Sequence, residues 1–110
     1  MTRGLGDLER VVLLAAARLG EGTYGAAILR EIRERTGRRV TPGTIYPTLD
    51  RLEQKGLLRS WMGEPTAKRG GRAKRHYALL EEGLATAAAY WEEVNSLAEG
   101  VEDRLRGALR

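Results

Sequence analysis

Three short segments with the apolar spacing of amphipathic helices open the chain, and glycines separate them. The first, Asp7–Leu19, has apolar residues at the i, i+3, i+4 and i+7 positions of one helix face. The second begins at Thr23 as its N-cap and ends at Gly37, and the third begins at Thr41-Pro42, since threonine caps helices well and proline fits their first turn. In a chain of 110 residues, such helices must pack around one core.

Two runs of β-favouring residues follow the helices and predict a hairpin. They are Leu57–Met62 and His76–Leu79, and the segment between them, residues 63–75, has no acidic residue after Glu64. Its basic residues are Lys68, Arg69, Arg72, Lys74 and Arg75. Three helices followed by a hairpin with a basic tip are typical of a winged helix-turn-helix domain, whose third helix enters the DNA major groove. We therefore expect a mainly α fold with a small β-hairpin.

The last 30 residues repeat their apolar positions every seven residues. This spacing is that of the a and d positions of a heptad seam, and it predicts a C-terminal dimerisation helix over residues 81–110, after a winged-helix domain over residues 1–80. Gly100 interrupts the pattern, so the continuity of this helix stays open. The predicted interface residues are Leu84, Ala87, Trp91, Val94, Ala98, Val101 and Leu105.

Charge is divided unevenly along the chain. Residues 1–80 carry 16 basic and 8 acidic side chains, net +8, and residues 81–110 carry 3 and 7, net −4, which together give the net charge of +4. A basic surface attracts phosphate, so double-stranded DNA is the expected partner of the first part.

Several classes of protein are not expected from this composition. The chain has no cysteine, and its single histidine, His76, has no second histidine or paired carboxylates nearby in sequence, so we expect no metal, no cofactor and no enzyme activity. There is no run of 18 apolar residues and no signal-peptide pattern, so we expect no membrane association. A cytoplasmic location fits the lack of cysteine.

Several runs of residues resemble the PadR family of transcriptional regulators. The runs are Tyr24–Leu29, Thr41–Leu49, Arg51–Glu53 and Gly56–Leu58, with Gly71-Arg72, Arg75–Tyr77 and Glu82-Gly83 later in the chain. The resemblance covers almost the whole chain and is carried mainly by Pro42–Pro47. It implies a homodimeric winged-helix repressor of the short branch of the family, in which a single C-terminal helix packs on the partner subunit.

The resemblance also implies which residues face DNA: Tyr24, Thr44, Tyr46 and Arg51 match such positions of the family. The other candidate DNA contacts are Thr41, Thr48, Lys68, Arg69, Arg72 and Lys74. Hydroxyl groups can donate to phosphate oxygens, and the first turn of a helix favours an anion. Arg51 can pair with a guanine edge or hold a phosphate. For Tyr24, core packing is an equal alternative.

Trp91 lies on the predicted seam, where it can pack across the dimer, stack on a small aromatic effector, or do both. Tyr90 and Val94 are the other candidate effector contacts. Together these features predict a dimeric, ligand-responsive repressor that binds a two-fold operator. The alternative is a winged-helix module that binds only proteins, with its basic face serving an acidic partner.

Overall fold

A computed structural model describes residues 4–64 and 73–110 of the chain. In chain order the elements are α1 (Asp7–Leu19), β1 (Thr23–Tyr24), α2 (Gly25–Thr36), α3 (Pro42–Gln54), β2 (Leu58–Met62), β3 (Arg75–Leu79), α4 (Glu81–Ala98) and α5 (Glu102–Ala108). The mainly α fold class predicted from the sequence is therefore confirmed, with a sheet of three strands instead of a two-stranded hairpin.

Local sequence signals set the ends of the second and third helices. Gly37, with φ of +71°, ends α2, and Gly56, with φ of +76°, follows the end of α3. Thr41 is the extended N-cap of α3 and Pro42 occupies its first turn, as expected. Pro47 lies inside α3, and the helix continues past it to Gln54.

The third strand was not predicted. Thr23 was expected to cap the second helix, but Thr23 and Tyr24 form β1, and Tyr24 is the N-cap. β1 pairs antiparallel with β3, Thr23 opposite Tyr77, and the strand order is β1-β3-β2. β1 forms because the outer edge of β3 carries backbone groups that need hydrogen-bond partners, and a two-residue strand is enough to supply them.

The core lies between α1, α2, α3 and the sheet. Its fully buried large side chains are almost all aliphatic, and Tyr77 is the aromatic member. The set comprises Val12, Leu13, Ile28, Ile32, Ile45, Leu49, Leu52, Leu58 and Tyr77. One carboxylate, that of Glu9, is also buried, and it accepts hydrogen bonds from the Gly6 N–H at 2.9 Å and from Lys55 Nζ at 2.8 Å.

The first half of α4 packs on α1 and β3 of its own chain. Gly83 lies so close to the backbone of Leu57 that a Cβ would be 2.0 Å from the Leu57 carbonyl oxygen, and Thr86 and Ala87 are buried. The assignment of Ala87 to a dimer interface is therefore wrong, because α4 turns this residue towards α1.

The C-terminal segment is two helices, not the single helix expected over residues 81–110. α4 ends at Ala98, Gly100 has φ of +87°, and α5 begins at Glu102. A left-handed glycine ends helices readily, which explains the break. Every residue from Glu99 to Arg110 is exposed. This projecting segment raises the radius of gyration to 15.8 Å, compared with about 13 Å expected of a compact domain of this length.

Candidate nucleic-acid interface

One face of α3 is exposed and polar, and the opposite face is buried and apolar. Ile45, Leu49 and Leu52 have no exposed surface, so they fix the orientation of the helix. Four of the predicted DNA contacts, Thr41, Thr44, Tyr46 and Arg51, are exposed. The hydroxyl oxygens of Thr41 and Thr44 lie 3.1 Å apart in the first turn of α3.

Thr48 does not belong to this exposed face. It is fully buried, and its hydroxyl donates to the Thr44 carbonyl at 2.7 Å. The prediction that Thr48 contacts DNA is therefore wrong for this fold, because the side chain faces the core. Its hydroxyl instead accepts a hydrogen bond from Arg51 Nη2 at 3.1 Å, so Thr48 positions the Arg51 guanidinium.

Tyr24 and Lys74 meet beside α3, at the junction of β1 and β3. Lys74 Nζ lies 4.3 Å from the centre of the Tyr24 ring, which is within the range of a cation–π interaction. Tyr24 is half-buried, and its ring meets the His76 ring in a T-shaped contact at 6.4 Å between ring centres. Tyr24 therefore packs on its neighbours, and its contact with DNA stays a prediction.

His76 is held at the base of the strand pair by its neighbours. Its Nδ1 lies 2.7 Å from the Gly22 carbonyl oxygen, which can only accept, so Nδ1 carries the hydrogen. The imidazole stacks on Trp61 at 5.8 Å, and the Arg59 guanidinium lies 4.5 Å from the Trp61 ring. These contacts give His76 a structural role.

A polar bridge that the sequence did not suggest joins α3 to the two longer strands. Ser60 Oγ of β2 lies 2.8 Å from both carboxylate oxygens of Glu53 on α3. Arg75 Nη1 of β3 donates to the same Ser60 oxygen at 3.0 Å. The bridge fixes the angle between the sheet and the exposed face of α3. No spacing rule marks it, since its members are distant in sequence.

Three of the predicted basic contacts, Lys68, Arg69 and Arg72, lie outside the described residues. Lys74 and Arg75 are described, and both are exposed.

Several described cations away from this face pair with carboxylates. A hydrogen bond from Arg35 lowers the pKa of Glu31 against the effect of burial, and Arg18 adds to it. Arg38 pairs with Asp7, Lys55 with Glu9, and Arg59 with Glu21. Among the residues that the structure describes, Arg51, Lys74 and Arg75 have no carboxylate within ion-pair distance. These three cations therefore remain available to an anionic partner beside α3, whose exposed residues also include Asp50.

The predicted dimer residues other than Ala87 lie along the outside of α4 and α5. Leu84, Trp91, Val94, Val101 and Leu105 are exposed hydrophobic side chains, and Ala98 is half-buried. An exposed apolar surface of this extent is unusual for a monomeric protein.

The three predicted effector contacts do not line one cavity within the chain. Trp91 and Val94 are exposed, whereas Tyr90 is half-buried beside a pocket of about 460 Å³ between α1 and α2. Arg10 lies over the Tyr90 ring at 5.7 Å. Adjacent residues on a helix point about 100° apart, which explains why Tyr90 and Trp91 face different surroundings.

Over residues 4–64 and 73–110, no cluster of three or more His, Cys, Asp or Glu side chains could hold a metal ion. Within the same described part, none of the helices combines the length and apolar character needed to cross a membrane.

Comparison with known proteins gives consistent matches. Residues 13–89 match the family model of the transcriptional regulator PadR-like family. Transcriptional regulator Rv3488 of Mycobacterium tuberculosis is 40% identical over 84 residues, which cover 76% of this chain and 71% of Rv3488. Transcriptional regulator YqjI of Escherichia coli (strain K12) is 30% identical over 107 residues, 96% of this chain but 47% of YqjI, so the chain spans about half of that relative.

A third relative carries a different regulatory name. Transcriptional activator GvpE of Haloferax mediterranei is 36% identical over 52 residues, which are 47% of this chain and 27% of GvpE.

The fold is also that of a solved family member. The crystal structure of a PadR family transcription regulator from hypervirulent Clostridium difficile R20291 superimposes with a TM-score of 0.74, covering 91% of this chain and 99% of that one at 24% identity. The family match and the Rv3488 match confirm the resemblance read from the sequence and the expectation of a regulator in place of an enzyme. The chain belongs to the PadR-like family of transcriptional regulators.

Proposed function

We propose that the protein is a dimeric, ligand-responsive DNA-binding repressor that recognises a two-fold operator. The observation that carries the proposal is the exposed side of α3, which carries Thr44, Tyr46 and Arg51, with Lys74 of the strand pair sharing a cleft with Tyr46. Among the described residues, neither Arg51 nor Lys74 has a carboxylate within ion-pair distance. α3 lies in the major groove, and the basic strand pair follows the flanking phosphates. A cytoplasmic location fits this role.

Each group on this side has chemistry suited to DNA. The Arg51 guanidinium, held by Thr48, can pair with O6 and N7 of guanine or with a phosphate. The Thr41 and Thr44 hydroxyls lie in the first turn of α3, where the helix dipole favours a phosphate. Phosphate contacts set the register on the duplex, and base contacts supply sequence preference.

The C-terminal helices support a homodimer. α5 has seven residues and no buried residue, and a helix this short is unstable in water without a packing partner. Its Leu105, with Trp91 and Val94 of α4, offers the apolar surface that such a partner would cover. A second copy fits because a two-fold axis lets the same apolar surface on two identical chains cover itself. The operator would then have two half-sites roughly 34–36 Å apart.

Binding to defined duplexes tests DNA recognition. We expect the protein to prefer the duplex upstream of its own gene over a random duplex, with affinity falling steeply as salt rises. Arg51→Ala should lower affinity for the upstream duplex about 5-fold to 150-fold, the effect of losing one bidentate base contact. Arg104→Ala, which removes the same charge on α5, is the matched control and should have little effect. Equal affinity for both duplexes at moderate salt would favour the protein-binding alternative.

An effector would act through the C-terminal helices. A ligand held between the subunits, against Trp91, would release DNA if it binds better to an arrangement in which the two α3 helices are wrongly spaced. Titration of planar aromatic compounds against the protein–DNA complex should find some that lower DNA affinity, and Trp91→Ala should remove their effect. Unchanged DNA affinity across a saturating panel would contradict ligand control.

Whether the protein represses or activates transcription is tested separately, since the relative GvpE is named an activator. A reporter gene placed behind the upstream duplex should be expressed more strongly when the protein is absent. Stronger expression in its presence would make the protein an activator and leave the DNA-binding proposal intact.

A further inference from the structure

A small cleft lies where the start of α2, the exposed side of α3 and the base of β3 meet. Its volume is about 190 Å³, and it is lined by Tyr24, Gly25, Ala26, Tyr46, Lys74 and Arg75. Pockets for drug-sized ligands measure roughly 300–1,000 Å³. The cleft is therefore suited to a single chemical group of a larger molecule.

The charged residues around the cleft favour an anion over a cation. Lys74 and Arg75 bring two cations, and none of the described residues that line the cleft is acidic. Tyr24 and Tyr46 add two hydroxyl groups, which can donate to oxygen acceptors. The combination fits a group with one negative charge and several oxygen atoms.

Gly25 determines where the Tyr46 ring can lie. A Cβ on Gly25 would be 2.5 Å from Tyr46 Cε1, 2.9 Å from Cζ and 3.0 Å from the hydroxyl oxygen. The outer half of the ring thus rests directly on the Gly25 backbone and joins α3 to the start of α2. Because the nearest atoms are at the end of a movable side chain, an added methyl group would displace the ring and leave the backbone in place.

The opposite side of the cleft is held just as firmly. Lys74 Nζ lies over the Tyr24 ring, and the Tyr24 and His76 rings make a T-shaped contact. His76 is in turn hydrogen-bonded to the Gly22 carbonyl and stacked on Trp61. The Arg75 guanidinium is tied to Ser60. The lining groups are therefore already in place before a ligand arrives.

We propose that this cleft binds one phosphate group of the DNA backbone, and that Gly25 is the positioning residue that keeps Tyr46 against it. The inference rests on the proposed DNA-binding function and adds the ligand group and the role of Gly25. Phosphates are the same at every base pair, so the cleft anchors the duplex without reading its sequence.

A double-mutant cycle tests the role of Gly25 with the full-length protein and two duplexes, the upstream one and a random one. Gly25→Ala and Tyr46→Ala should each weaken binding to both duplexes by a similar factor, roughly 10-fold to 150-fold, the effect of one lost hydrogen bond to a charged group. In the Tyr46→Ala background, adding Gly25→Ala should change affinity less than twofold, because no ring is left to displace. Gly107→Ala is the matched control, since a Cβ there meets no heavy atom within 4 Å.

Lys74→Gln tests whether the cleft binds a phosphate. Lys74 is on the surface, so this substitution is not expected to affect folding. It should weaken binding to both duplexes equally and reduce the slope of log affinity against log salt by about 0.9, the value for one phosphate. If Gly25→Ala lowers DNA affinity by the same factor in the unaltered protein and in Tyr46→Ala, the proposed role of Gly25 is overturned. A loss confined to the upstream duplex, or an unchanged salt slope for Lys74→Gln, would overturn the phosphate assignment.

These outcomes are separable from failure of the proposed function. If the unaltered protein binds neither duplex, DNA binding itself is wrong. If circular dichroism shows that Gly25→Ala does not fold, the proposed role of Gly25 is overturned. The measurements on Tyr46→Ala and Lys74→Gln then still test whether the cleft binds a phosphate.

Discussion

The part of the chain up to Tyr90 and the part after it obtain stability in different ways. In the first part, the head, a continuous core closes within one chain, and its buried polar side chains, such as Glu9 and Thr48, have hydrogen-bond partners. The second part, residues 91–110, is called the tail. All of its residues except the half-buried Ala98 are exposed, and these include its large apolar side chains. The head therefore closes its own core, whereas the tail has no core of its own, and a second copy of the chain is the partner that we propose for it.

The same division gives the two parts opposite responses to salt. The tail has three basic and five acidic side chains, net −2, so two tails in the proposed dimer would repel each other and their apolar contacts would have to overcome this repulsion. Salt screens the repulsion and so favours pairing. Salt weakens the binding of the basic head to phosphates. Measurements of pairing and DNA affinity against salt therefore report on the two parts separately.

The largest expected effect comes from the head core. Leu49 has no exposed surface, whereas Leu97 of the tail is 78% exposed. Leu49→Ala should lower the free energy of unfolding by about 2–5 kcal/mol, since it leaves a cavity. Leu97→Ala, the matched control, should change it by less than about 0.5 kcal/mol. Urea denaturation at a protein concentration low enough for single chains measures both. Similar losses would mean that the tail belongs to the same core.

The next effect concerns pairing of the tails. Trp91 is 58% exposed in the single chain and lies on the apolar side of α4. Trp91→Glu should weaken self-association by about 30-fold or more, equivalent to about 2 kcal/mol, as expected for an aromatic residue at the centre of an interface. Ala89→Glu places the same charge about 160° away around the helix and serves as the control.

Sedimentation equilibrium at several salt concentrations measures this pairing. We expect the unaltered protein to associate at least as well at high salt as at low salt. If both variants associate like the unaltered protein, the tail seam is not the interface.

Local signals predicted most of the fold, and contacts between distant segments account for what was missed. Thr41-Pro42 and Gly37 act within one helical turn, so their effects could be read from the sequence. β1 depends on pairing with β3, and the Glu53–Ser60 contact depends on how α3 meets the sheet. Neither leaves a pattern in sequence order.

The two residues whose positions were predicted wrongly, Thr48 and Ala87, show what helical spacing can and cannot predict. Thr48 stands at the i+3 position of the Ile45 face, so its burial could have been predicted from spacing alone, had its polarity not argued for the surface. Ala87 also fits a regular spacing, but two different partners, α1 or a second chain, could cover it. Spacing identifies a face and leaves its partner undetermined.

The smallest expected effect is a difference between head and tail carboxylates in how they contribute to stability as pH falls. Burial opposes ionisation of Glu9, but hydrogen bonds from the Gly6 N–H and Lys55 outweigh it, so the pKa of Glu9 lies below its ordinary value of 4.5. A lowered pKa contributes stability above the ordinary pKa, and this contribution is lost as pH falls through the lowered one. Glu9→Gln should therefore cost on the order of 1 kcal/mol at neutral pH, since the Lys55 partner is partly exposed, and nothing in strong acid.

Urea denaturation from pH 7 down to about pH 3 measures this difference, with Asp103→Asn as the control, because Asp103 is a fully exposed tail carboxylate. The stability curves of the unaltered protein and Glu9→Gln should converge on acidification, whereas Asp103→Asn should follow the unaltered protein throughout. Parallel curves for Glu9→Gln would mean that its carboxylate is no better stabilised in the folded head than in the unfolded chain. Convergence for Asp103→Asn would mean that a tail charge contributes to folding, so the head would not be complete on its own.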